Sequence, residues 1–485
     1  MNWNNAEIID EVIEEFAELA KIPRPSGHEK AVGDYLENRF RQLGAEARRD
    51  ETGNLAADVA ASAGCEDMPR VILQSHMDMV CVAEKGISYN PLKDAINIVN
   101  DGSFLFAEGT SLGADDGIGI AIALCLLSDE SILHGPLRAL FTVNEEDGMA
   151  SGAIDPKYLD ADYLINLDWE WLGSLCNSSA GGDFMAFTRK YKSMKADDTY
   201  SALKIELSGL LGGHSGVDIH KGRVNALVCI SRLLQKLSDE QIRYQLNDFH
   251  GGQARNAIPA SAEATISVHP DSISEVYKTI KVYDNELKAA FGVIEPGMAL
   301  RCTVPDERPS SVIPKEDADA LFDLILTLPN GVHTMSPYVG GLVESSQNLG
   351  RLEHTKGELR LAAMARSCVP YRANELLAIS SAVARAQGFT YEQGEHSPAW
   401  AVNPKSKLTP LTCQIYKELT GNDMVVEPVH GALECGAFYE KNPHLDMIAI
   451  GPSLFDVHTP KERCDLHSVQ VTNDLVIGIL ERLCE

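Results

Sequence analysis

Residues 71–78 read V-I-L-Q-S-H-M-D, an apolar run that turns polar and ends on His76 and Asp78. A short apolar run bounded by polar residues reads as a buried strand, and the same texture recurs at Leu137–Val143 and Tyr163–Leu167. Between the first two lies Gly117–Leu127, G-I-G-I-A-I-A-L-C-L-L, apolar nearly all round and therefore expected as a buried helix. Strands alternating with helices specify an α/β sheet with helices on its faces. Upstream, Ile9, Val12, Ile13, Phe16 and Leu19 repeat at helical steps until Pro23 and Pro25 force an end. A second helix from about Glu29 turns Val32, Leu36, Phe40 and Leu43 inward, with Gly44 as its C-terminal stop. The pattern returns after residue 400 as a helix over Leu411–Leu419, strands over Met424–Glu427 and Met447–Ile450, and a closing helix over Val469–Leu483. The intervening stretch has strand-like runs such as Ala202–Leu207 and Glu263–Val268 and helices such as Arg223–Leu237. The expected architecture is a mixed sheet flanked by helices over 1–181 and 399–485, interrupted by a large inserted α+β domain over 182–398.

Composition narrows the function classes. Across 485 residues, 42 Lys plus Arg stand against 70 Asp plus Glu, so the formal charge is 42 − 70 = −28. Phosphate backbones and anionic lipid surfaces both call for a positive face, so no nucleic-acid or membrane partner is expected. No apolar run reaches about 18 residues, the length a membrane helix needs, and residues 1–20 have neither the basic nor the apolar part of a signal peptide. The eleven cysteines are scattered without a C-x-x-C pair, which reads as reduced thiols in a cytoplasmic protein. No low-complexity tract or short-period repeat is visible.

The informative polar residues follow the predicted strands. His76 and Asp78 are two apart and share a side on an extended chain, so Asp78 can hold the second ring nitrogen of a metal-bound His76. H-x-D alone is explained more readily by a structural pair. Asp115 and Asp116 open the buried helix after a glycine-rich turn, where a capping role is the simplest account, above all for Asp116. Glu145, Glu146 and Asp147 end the second strand; three such carboxylates either lie in a solvated loop or share a cation. Asp168 ends the third strand, and Asp456-Val457-His458-Thr459 follows the last one. In open α/β sheets ligands bind beyond the carboxyl ends of the strands. Two histidines with several carboxylates there suit Zn²⁺ and, less specifically, Mn²⁺ or Co²⁺.

With these residues in place, the chain resembles the M20 family of co-catalytic zinc metallopeptidases, and within it the aminoacyl-histidine dipeptidase branch. The resemblance runs in order through S-H-M-D-M-V at 75–80, G-A-D-D-G at 113–117, N-E-E-D-G at 144–148 and L-D at 167–168. It continues through G-G-H-S-G at 212–216, R-N-A-I-P at 255–259, H-G-A-L-E-C-G at 430–436 and D-V-H-T-P at 456–460.

The resemblance implies two divalent metal ions, zinc with manganese or cobalt as substitutes, bridged by Asp115. One is completed by His76 and Asp168, the other by Glu146 and His458. It further implies Glu145 as general base, Asp78 as the carboxylate orienting His76, and a cis Asp115–Asp116 peptide. The insert is expected as a lid and dimerisation domain of a homodimer. His214 is implied to stabilise the oxyanion; in dimeric relatives that histidine serves the opposite subunit. Asn256 and Arg366 are implied to hold the substrate carboxylate, and Glu434 to receive a free α-amino group. The implied activity is hydrolysis of unblocked dipeptides, carnosine-type Xaa-His included. A deacylase of N-acyl amino acids and a catalytically dead binding relative are the alternatives. Cys435, beside Glu434, reads as a packed thiol.

Overall fold

The computed structural model describes residues 6–148 and 150–485, which fall into two units. The first comprises the chain up to Ser179, Trp400–Pro428 and Leu433–Glu485; the second comprises Ala180–Ala399 and Val429–Ala432.

The first unit is built on a six-stranded mixed sheet of order β1-β2-β4-β3-β5-β6. Its strands are β1 (Glu46–Arg49), β2 (Leu55–Val59), β3 (Val71–His76), β4 (Leu137–Thr142), β5 (Tyr163–Asn166) and β6 (Asp446–Ala449). The four strands from β4 to β6 are mutually parallel, and β1 and β2 add an antiparallel edge. All six residues of β3 and of β4 are buried, as central strands covered on both faces must be. The helices are α1 (Ala6–Leu19), α2 (Lys30–Gln42), α3 (Ala114–Ser128), α4 (Leu408–Thr420), α5 (Glu434–Lys441) and α6 (Leu466–Arg482). Helix α3 is the buried helix expected from its composition: Ile118, Ile120, Ile122, Leu124 and Leu126 are all 0–1% exposed. Each such side chain contributes about 1.5–3 kcal/mol relative to exposure. It packs on β3 and against α1 and α6. The expected strand at Met424–Glu427 shrinks to Val425–Val426, paired with Ser174–Leu175 outside the main sheet.

The second unit holds a nine-stranded antiparallel sheet with a topological duplication. Strand Ser201–Ser208, helix Ala226–Asp239, strands Tyr244–Gly251 and Ala262–Val268, helix Ile273–Phe291 and strand Ala299–Thr303 follow a β-α-β-β-α-β order. The same order recurs in Gly181–Lys190, helix Lys315–Thr327, strands Val343–Thr355 and Glu358–Ser367, helix Pro370–Ala386 and strand Thr390–Ser397. An additional strand, Gly331–Met335, pairs with Val343–Thr355. In the sheet the two sets run in mirrored sequence and meet where Gly251 pairs with Leu352. The first set is inserted between the first strand and first helix of the second, so it leaves no short-period trace in the sequence. Among the described residues no helix is long and apolar enough to cross a membrane.

Candidate active site

Because β4, β3 and β5 are adjacent and parallel, their carboxyl ends lie along one edge of the sheet. The register pairs His76 with Thr142 and Gln74 with Asn166, so the segments bearing His76 and Asp78, Glu145 and Glu146, and Asp168 leave the sheet side by side. Asp115 and Asp116 enter from the start of α3. His458 comes from the hairpin loop between Leu454–Phe455 and Arg463–Asp465. Asn144, Asp456 and His458 adopt left-handed backbone (φ 55°, 54° and 60°), and all three are residue types that tolerate it.

Asp115 stands at the centre. Its Oδ1 lies 2.9 Å from His76 Nε2 and its Oδ2 lies 3.0 Å from His458 Nε2. His76 Nε2 is also 3.6 Å from Asp168 Oδ1, and His458 Nε2 is 3.0 Å from Glu146 Oε1. Two ligand triads therefore form, His76–Asp115–Asp168 and Asp115–Glu146–His458, and each takes one oxygen of Asp115. A third grouping, His76–Glu145–Glu146, places Glu145 alongside. The Asp115–Asp116 peptide is cis.

The electrostatics of this cluster call for positive charge. Burial and then the surrounding carboxylates push Glu145 up to about 8, and Asp168 well above its ordinary range. Hydrogen bonds to Asp115 and Glu146 hold His458 at about 10. Burial opposes protonation of His76, yet Asp168 and Asp115 outweigh it. A donor set of two imidazoles and three carboxylates, in which both imidazoles and Asp168 otherwise retain protons, fits a pair of divalent cations.

Asp78 is fully buried. Its carboxylate accepts from Ser26 Oγ (2.7 Å) and from the backbone N–H of Glu145 (3.0 Å) and Glu146 (3.2 Å). Burial works against ionisation, but His76 and these donors hold Asp78 down at about 2. His76 Nδ1 lies 3.1 Å from the Asp78 carbonyl and 3.5 Å from its carboxylate, so the main chain is the nearer partner. Asp116 is not the helix cap that its position implies. Its Oδ2 accepts from the His76 N–H at 3.2 Å, and the first N–H groups of α3 are taken instead by the Glu462 carboxylate. Beneath the cluster, Glu434 Oε2 accepts from Gln74 Nε2 (2.8 Å) and Thr142 Oγ1 (2.7 Å), while Oε1 is buried with no hydrogen-bond partner among the described residues. Cys435 is fully buried and its thiol is pushed far up by burial, as a packed thiol requires.

In the second unit, His214 occupies a glycine-rich loop. Gly213 holds φ +122°, backbone that favours glycine, and a Cβ there would sit 1.9 Å from Arg223 Nη1 and have to displace it. The His214 N–H donates to Asp218 Oδ2 (2.8 Å), and its Nδ1 accepts from the backbone of Gly216 (3.3 Å) and Val217 (3.4 Å). An accepting Nδ1 leaves the proton on Nε2, which lies 3.2 Å from Arg366 Nη2. Arg366 is 5% exposed and burial pushes it down to about 10; no carboxylate pairs with it among the described residues. Arg366 Nε donates to Ser215 Oγ (3.3 Å), while its Nη2 and the His214 Nε2–H are neighbouring donors that face no carboxylate among the described residues, the elements of an anion site. Asn256 accepts the Ser215 N–H through its main-chain oxygen (2.8 Å), while its side chain is exposed.

Three residues at these clusters escape the sequence reading. Arg24 and Glu462 are buried charges standing among prolines and surface-like residues, with nothing local to distinguish them. His430, held 2.7 Å from Ser346 Oγ, is pushed down to about 3 by burial and then by Arg366. Its only signal is the first position of H-G-A-L-E-C-G.

Residues 72–482 match the family model for peptidase family M20/M25/M40. The sequence is 33% identical over 455 residues to the cytosol non-specific dipeptidase of Escherichia coli (strain K12), covering 94% of this chain and 93% of that protein. The fold matches the crystal structure of aminoacylhistidine dipeptidase from Vibrio alginolyticus with a TM-score of 0.93, 31% identity and 99% coverage of both chains. Aminopeptidase PepT from Bacillus cereus shares the fold at a TM-score of 0.57 and 16% identity, over 98% of this chain and 99% of that one.

Proposed function

This chain belongs to peptidase family M20/M25/M40 and is a hydrolase acting on peptide bonds, and we propose that it is a metal-dependent dipeptidase cleaving unblocked dipeptides, Xaa-His types among them. The observation that carries the two-metal part is the division of Asp115 between two triads, one oxygen each. In this reading His76, Asp115 and Asp168 hold one ion and Asp115, Glu146 and His458 the other, zinc by preference with manganese or cobalt as substitutes. When bound, such a pair acidifies a water and polarises the scissile carbonyl.

The chain's own residues do the rest. Glu145 takes the proton of the attacking water and delivers it to the leaving amine. Asp78 fixes the His76 segment and the backbone of Glu145 and Glu146. The unpartnered Glu434 Oε1 is an acceptor for the free ammonium of a dipeptide, and this favours dipeptides over N-acyl substrates. His214 serves the developing oxyanion, and Arg366 with Asn256 the substrate carboxylate. The dipeptidase and Xaa-His parts are supported by the similarity to the Escherichia coli and Vibrio alginolyticus enzymes. Cytoplasmic location and a homodimeric state belong to the same proposal, and light scattering of the purified chain tests the latter.

The test is a dipeptide panel, with free and N-acetylated members, assayed on chelator-stripped protein and after adding back Zn²⁺, Mn²⁺ or Co²⁺. Metal-restored cleavage of free dipeptides is expected. A panel in which no metal restores cleavage overturns the proposal, and preference for the acetylated members replaces it with the deacylase reading.

A further inference from the structure

The start of α3 lacks an ordinary cap. Gly113 occupies the capping position with φ 72° and no side chain, and Asp115 and Asp116 depart from helical backbone angles. The N–H groups there still need acceptors. Glu462 supplies them: Oε2 accepts from Leu112 (2.8 Å) and Gly113 (3.1 Å), and Oε1 from Ala114 (2.8 Å), with the Asp115 N–H at 3.5 Å. From the opposite side, Arg24 Nη2 donates to the Gly113 carbonyl (2.5 Å), while Nη1 donates to the carbonyls of Met77 and Asp78 (2.9 Å each). The Gly113 residue is thus gripped at both its N–H and its carbonyl. A Cβ there would lie 2.5 Å from Met79 Sδ and 2.8 Å from Arg24 Nη2, so with φ 72° any larger residue would strain the backbone and push the Arg24 guanidinium aside.

We propose that Glu462 and Arg24 are a pair of positioning residues that set the orientation of Asp115, a role that rests on the two-cation reading above. Neither offers an atom to a cation. Together they tie three ligand-bearing segments to one another: Arg24 joins the His76–Asp78 segment to Gly113, and Glu462 joins Gly113–Asp115 to the hairpin that carries His458 four residues earlier. Arg24 is 1% exposed and Glu462 3%, and the buried charge of each is met by the main-chain groups it binds. Removing either leaves buried main-chain groups at Gly113 without their partner. Asp115 must present one oxygen to each histidine, so a small rotation of residues 113–115 disturbs both triads together.

The experiment is a Zn²⁺ titration of the metal-stripped full chain against a competing chelator, with dipeptide kinetics on the same samples. Glu462→Gln keeps the size and removes the charge. Loss of a residue that orients metal ligands costs about 10- to 100-fold in metal affinity or activity. The expected result is that loss in affinity for the weaker ion, with kcat lowered and KM nearly unchanged, and partial recovery in Glu462→Asp. A purely structural role lowers only the folded fraction and leaves affinity and kcat per folded molecule at wild-type values. A folded Glu462→Gln that binds two zinc ions with wild-type affinity and turns over normally overturns the proposal. Should that variant not fold, Glu462→Asp and Arg24→Lys carry the same test, and wild-type affinity in both overturns it. The wild-type titration separates this outcome from the larger one: a wild type that takes up fewer than two zinc ions overturns the two-cation reading itself.

Discussion

Replacing Glu434 by Gln isolates one charge at one atom. The carboxylate is 1% exposed, one oxygen is engaged by Gln74 and Thr142, and the other has no partner among the described residues. A glutamine keeps the first pair of bonds through its carbonyl and turns an N–H₂ toward the open side. A substrate ammonium then loses one charge-assisted hydrogen bond, about 1.5–3 kcal/mol, which converts to about a 10- to 150-fold loss of kcat/KM. For N-acetyl dipeptides, which lack that ammonium, the change should be negligible, so the ratio of the two activities narrows by the same factor. Stability moves the other way. Burial raises the pKa of Glu434 in the folded chain above its ordinary value. A carboxyl so raised contributes stability that is present below its unfolded pKa and lost as pH rises toward the folded one. The metal-stripped Glu434→Gln chain should therefore melt higher than wild type at pH 7–8, and the advantage should vanish in acid. Steady-state kinetics on a matched pair of free and acetylated dipeptides, with melting curves across pH, decide the matter. Equal losses on both substrates, or none on the free one, would refute the ammonium role.

Other expectations follow from single side chains. Glu145→Gln should lower kcat by about a hundredfold to ten-thousandfold, the usual weight of a general base, while zinc stoichiometry by elemental analysis stays at the wild-type value. Gly213→Ala forces a Cβ to within 1.9 Å of Arg223 Nη1 at φ +122° and should cost about 1–3 kcal/mol; an unchanged denaturation midpoint would contradict that. Asp474 in α6 is pushed up to about 6 by burial, and its Oδ1 accepts from Gln470 Nε2 (2.8 Å). By the same sign argument its contribution is lost as pH rises from its ordinary range through about 6. Asp474→Asn should raise Tm above pH 6 and leave it unchanged below about pH 4, as differential scanning calorimetry can show.

Much of the catalytic scaffold was legible because its signals are local. Three apolar runs and one all-apolar helix announce central strands and a buried α3, since burial on both faces demands continuous apolar sequence. The polar residues that break those runs sit at strand ends for the same reason, and their order matches a known family. Residues whose partners lie far along the chain carried no such mark. Glu462 meets Leu112–Ala114 about 350 positions away, and Glu434 meets Gln74 at a separation of 360. Nothing near Glu462 distinguishes it from a surface acid, and Glu434 is marked only by its place in H-G-A-L-E-C-G, which says nothing of its partners. The capping reading of Asp116 failed for that reason: its local position favours a cap, but a distant carboxylate had already filled the place. The duplicated sheet of the second unit is equally silent, because a β-α-β-β-α-β order needs only matching hydrophobic periods and not matching residues. The sequence by itself determined which segments become central strands and which residues end them. Only the tertiary structure decided which oxygen of Asp115 goes to which histidine, what caps α3, and which oxygen of Glu434 accepts from Gln74 and Thr142, because hydrogen-bond geometry between distant segments exists only once they are packed.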